Sequence, residues 1–254
     1  MPEDSINLVP SFGKTLYNSV SDAVLDTADY SFDQLAEKLL TGDLEEFIPV
    51  IQELPIIKYF ICAGKIVNSV RDRLFLKKTL KFFAALHNGE VDSHEIERRR
   101  QALSSGEQWV IDELEILIST LEQINRVQKA QIIAEIYRTY LNGEIDRKTF
   151  DDFCSITEKL FLGDIIQIRA DYEEDEFEAN AKAALAHGEI SGCVITHTRY
   201  TELTGRLLAL GLMRISAKVG KNLKVDSDIL EYTISNKGKK YAQILKGIDF
   251  LGIK

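Results

Sequence analysis

The chain has 254 residues, 45% apolar and 28% charged, with a formal net charge of −9. That length suits two modest domains with a sizeable core, and the apolar content excludes a disordered chain. Four prolines, 15 glycines and no apolar run of roughly 18 residues exclude collagen-like, linker-rich and ordinary membrane-spanning architectures. Three cysteines and no recognisable signal peptide predict a reducing, cytoplasmic compartment rather than a disulfide scaffold.

In chain order, Leu16, Val20, Val24 and Ala28 recur at helical spacing. Ser31 with Gln34 reads as a capping box, and Gly42 as a stop. Residues 47–70 are the most apolar stretch. Pro49 and Pro55 predict a short helix, a kink and a second helix there. Residues 71–87 read as a basic amphipathic helix. Asp92 with Glu95 is a capping box for a helix through Leu103. Ser104 with Glu107 opens another to about Ile124, whose stripe is Val110, Leu114, Leu117, Ile118 and Leu121. Helices near 126–141 and 146–162 follow. Helix after helix at short spacing predicts an antiparallel bundle over 1–170.

Asn88-Gly89-Glu90-Val91-Asp92 recurs as Asn142-Gly143-Glu144-Ile145-Asp146, 54 residues later, with an echo at His187-Gly188-Glu189-Ile190-Ser191. Asn-Gly ends one helix with positive φ, and Asp or Ser caps the next. The first copy partly mimics a calcium loop. However, Ala84 and Leu86 stand where ligands are needed, and the second copy has Arg138 and Tyr140, so no calcium is expected. The junctions loosely resemble those of tellurite-resistance-type helical domains. His187, Cys193 and His197 lack a fourth zinc ligand, so no metal is expected there either. Cys62 and Cys154, in apolar surroundings, read as core residues, and Trp109 reads as packing.

Residues 171–178 hold six carboxylates in eight positions, which reads as a solvated helix face or a hinge. The charge changes sign after this run. Residues 84–189 carry a balance of −12 and residues 190–254 carry +6. A second domain over 171–254 is therefore expected. Within it, 198–211 reads as a helix stopped by Gly211. Residues 212–217 and 229–234 read as strands flanking a polar loop, and Ser235 caps a last helix with Tyr241, Ile244, Leu245 and Ile248 inward. The fold class predicted is mainly α, an N-terminal helical bundle with a small α+β C-terminal domain.

The phrases LLALGLMRI and YTISNKGKKYAQIL resemble the bacterial winged-helix pattern over about 60 residues. A winged-helix module implies binding of DNA or of a protein partner. For DNA, the recognition helix would present Thr198, Arg199, Thr201, Glu202 and Arg206, and the loop would offer Lys218, Lys221 and Lys224 to phosphates. The two preceding helices of a helix-turn-helix would have to come from residues near 177–195. As a docking module, the same surface would meet a protein.

Residues 56–83 carry a balance of +6. Lys58, Lys65, Arg71, Arg73, Lys77, Lys78 and Lys81 alternate with apolar clusters, so the segment could lie on an anionic membrane or form a bundle hairpin. LPIIKYFICAGKIV and SVRDRLFLKKTLKFF are similar to uncharacterised bacterial helical proteins found near phage-defence genes, over roughly residues 45–165. The chain contains no phosphate loop, nucleophile elbow or H-E-x-x-H motif. The expectation is a non-enzymatic, cofactor-free adaptor or regulator that binds a protein or DNA and self-associates through its bundle. The alternative is a membrane-associated effector.

Overall fold

The computed structural model describes residues 8–20, 70–186, 204–217 and 230–248. The fold is mainly α with one small antiparallel sheet among the described residues. The chain divides into two compact units, Met1–Lys159 and Leu160–Lys254. The expected boundary at 170 falls within the helix Leu162–Ala186.

The first unit contains α1 (Leu8–Val20), α2 (Val70–His87), α3 (Ser93–Ser105), α4 (Gln108–Gln123), α5 (Gln128–Leu141) and α6 (Arg147–Lys159). Its core is a chain of rings. Phe12 of α1 lies 5.3 Å from Phe83 of α2, Phe82 lies 6.2 Å from Tyr137 of α5, and Tyr137 lies 5.7 Å from Phe150 of α6. All five are fully buried, and each contributes about 2–3 kcal/mol by leaving water. The predicted stripe of α4 is buried throughout, as is Cys154.

The helix starts obey local hydrogen-bond chemistry, with two corrections. Asp92 caps α3 by accepting from the His94 N–H at 2.9 Å. Glu95 does not close the box; it turns to Arg98 and Arg99, and the Asp92 N–H donates to Asn142 Oδ1 at 3.0 Å instead. Ser104 does not cap α4. Its hydroxyl donates back to Arg100 O within α3, which ends on Gly106 at φ 71°. Asp146 does cap, accepting from the Thr149 N–H at 2.8 Å.

The two repeated junctions touch. Asn142 of the second donates to Glu90 O of the first at 3.2 Å while accepting from the Asp92 N–H. Arg138 lies over Gly89, where a Cβ would overlap its guanidinium, and donates to Ala85 O. Two buried lysines close helix ends: Lys78 donates to Glu122 O of α4 and Lys129 to Glu158 O of α6.

The second unit contains α7 (Leu162–Ala186), α8 (Thr204–Ala209), β1 (Met213–Ala217), β2 (Leu230–Ile234) and α9 (Asn236–Ile244). The acidic run 171–178 lies within α7, as helix rather than hinge. Ile165, Ile168 and Tyr172 form its buried stripe. β1 and β2 pair antiparallel with Met213 opposite Ile234 and Ala217 opposite Leu230. No helix among the described residues is long and apolar enough to cross a membrane.

Candidate functional site

In the second unit, Gly211 at φ 72° lies two residues past Ala209, the end of α8, in the turn that leads into β1. Ser235 then starts α9, its hydroxyl accepting from the Gly238 N–H at 2.9 Å and donating to Gly211 O at 2.6 Å. Gly238 is required because a Cβ there would overlap the Leu212 carbonyl oxygen. Buried Leu207, Leu212, Ile234, Tyr241 and Leu245 belong to this helix–hairpin–helix unit. Strand alternation sends Arg214 and Ile215 to opposite faces. Both are exposed, Ile215 at 52%. Lys239 and Lys240 are exposed on α9.

Among the residues singled out for recognition, Arg199, Glu202, Lys218, Lys221 and Lys224 lie outside the described residues. Arg206 has a partner within its own unit. Its guanidinium pairs with the fully buried Asp164 and stacks over Phe161 at 4.2 Å. Asp164 also accepts from the Phe161 N–H at 2.8 Å. The side chain read as a base or phosphate contact therefore holds α8 to the start of α7.

Lys58 and Lys65 of the basic segment also lie outside the described residues. Arg71 pairs with Glu122. Lys78 is buried with its ammonium on Glu122 O at 3.0 Å; burial pulls it below the usual lysine range, against the opposing pull of the Glu122 carboxylate. Arg73, Lys77 and Lys81 are half-buried. Phe75, Leu76, Leu80, Phe82 and Phe83 face the bundle core. Over residues 70–87, these apolar side chains are packed in the bundle, while Val70 and Leu74 are exposed.

A polar cluster that the sequence reading did not single out lies inside the first unit. Arg99 is 2% exposed and Glu113 fully buried. Arg99 Nε donates to Glu113 Oε1 at 2.9 Å, and the Tyr137 hydroxyl donates to the same oxygen at 2.6 Å. Glu95 gives Arg99 a second carboxylate, and Arg147 approaches Glu113 at 3.7 Å. Trp109 carries Arg98 over its ring at 4.8 Å, and Tyr140 carries Arg99 at 5.1 Å. Burial opposes the Arg99 cation, but its charged partners outweigh burial and hold it charged. Burial, then Glu113, pushes the Tyr137 phenol well up. One signal was legible: Glu113 lies three residues after Val110 and four before Leu117, on the apolar face of α4. A carboxylate there needs a cation.

Among the described residues, no group of three or more His, Cys, Asp or Glu is placed to hold a metal ion. No family model matches the chain, and no curated protein or solved structure matches it.

Proposed function

We propose that the protein is a non-enzymatic adaptor or regulator whose winged-helix-like C-terminal unit docks a protein partner, in the phage-defence setting that the N-terminal resemblance implies. The observation that carries this reading is the order α8–β1–β2–α9, a hairpin held between two helices with Arg214 and Ile215 of β1 exposed. Exposed Ile215 supplies an apolar contact of the kind protein interfaces bury. Arg206, the basic side chain nearest the hairpin on α8, is committed to Asp164, which favours protein over DNA.

The test compares two variants. A protein complex is expected to survive high salt and to be lost in Ile215→Glu. DNA binding instead predicts a gel shift that weakens steeply with salt and disappears in Lys218→Glu with Lys221→Glu. A salt-steep shift that Ile215→Glu leaves intact would overturn the docking reading.

A further inference from the structure

We infer that the first unit carries a second docking surface, a groove between α4 and α6 that accepts a cationic amphipathic helix from a partner protein. The two helices run in the same direction. Arg147 meets Glu113 at one end, and Gln123 lies beside Glu158 at the other. Between them lies an open cleft of about 460 Å³. Half-buried Ile116 provides its apolar floor, with Thr120 and Cys154 buried beside it, and Asp112, Glu115, Asp151 and Glu158 are its acidic rims. On α4 it extends from Asp112 to Gln123, about 16 Å at 1.5 Å per residue, or three helical turns.

Charge complementarity selects the occupant. Elsewhere the helices of this unit neutralise their own acids: Glu95, Glu97 and Glu135 each have an arginine three residues on. In the groove, Asp151 has Arg147 at 3.0 Å. Among the described residues, no ion pair neutralises Asp112, Glu115 or Glu158. Like charges on facing rims repel until a cation lies between them. An apolar floor between two anionic rims matches a helix with a narrow apolar stripe flanked by lysines or arginines. The surface is independent of the hairpin reading and stands if that fails.

The probe is a fluorescein-labelled Leu/Lys amphipathic peptide of about four helical turns, titrated with the full chain and followed by anisotropy. A Lys/Gln peptide of equal charge is the comparison. The Leu/Lys peptide is expected to bind with an affinity that falls with salt, and the Lys/Gln peptide to bind about tenfold more weakly because it leaves the floor uncovered. Glu115→Gln with Glu158→Gln is expected to weaken binding about tenfold. Glu90→Gln with Glu144→Gln, exposed junction residues carrying the same change in charge, is expected to leave it unchanged. No binding of the Leu/Lys peptide, equal loss in both variant pairs, or equal affinity for both peptides would each overturn the proposal. The first denies a site, the second denies its location, and the third reduces it to charge attraction.

Discussion

Replacing Glu113 with leucine should be among the most damaging single changes in the first unit. Arg99 and Glu113 are 2% and 0% exposed. The substitution removes the 2.9 Å bond from Arg99 Nε and the 2.6 Å bond from the Tyr137 hydroxyl, leaving a buried guanidinium with Glu95 alone. Breaking a buried ion pair from one side costs about 3–5 kcal/mol, and an orphaned buried hydroxyl adds about 1–3 kcal/mol. Glu95 remains and leucine gains apolar burial, so the net expectation is about 4 kcal/mol. Changing all three members together, Arg99→Met with Glu113→Leu and Tyr137→Phe, should recover most of this, because no charge or hydroxyl is then stranded. Urea denaturation followed by Trp109 fluorescence is the assay. Trp109 is the sole tryptophan and lies in the same unit, with Arg98 over its ring. A loss below about 1 kcal/mol for Glu113→Leu, or a triple variant no more stable than the single, would refute the reasoning.

Four further outcomes are expected. Arg206→Ala strands the buried Asp164 carboxylate. It should destabilise the second unit by about 2–3 kcal/mol, seen as faster amide exchange in α7–α9. Gly238→Ala drives a methyl into the Leu212 carbonyl and should cost about 3 kcal/mol, measured by circular dichroism on urea titration. In a Cys62→Ser, Cys193→Ser background, Cys154 should react with a maleimide only at the rate of unfolding. Burial pushes its thiol well above the usual range, and prompt labelling would deny that burial. The hydrogen bond from Arg98 holds the Glu95 carboxyl below its usual range, against partial burial, with Arg99 adding to the pull. Its contribution to stability is present above the unfolded value and lost as pH falls through the folded one. The urea midpoint should therefore fall on acidification below about pH 4.5, and fall less in Glu95→Gln.

The features legible in the sequence are those written in short-range chemistry. The caps at Asp92, Asp146 and Ser235, the stop at Gly211 and the stripe of α4 each depend on residues within a turn or two. The strands expected at 212–217 and 229–234 are found at 213–217 and 230–234. Other features turn on which of several partners a side chain meets. Ser104 could bond forward to a new helix or back to its own, and Gly106 settled it by ending α3. The role of Arg206 depends on where α8 meets α7, with Asp164 42 residues earlier in the chain, and no periodicity encodes that register. Lys78 likewise reads as a surface cation until the end of α4, 44 residues away, supplies the Glu122 carbonyl.

The contact between the duplicated turns has a mechanical consequence. Asn142 reaches the backbone on both sides of Val91, and Arg138 fills the space above Gly89. A load applied at either elbow therefore reaches the other through these contacts. Swinging one helix pair away from its twin would first have to break these bonds.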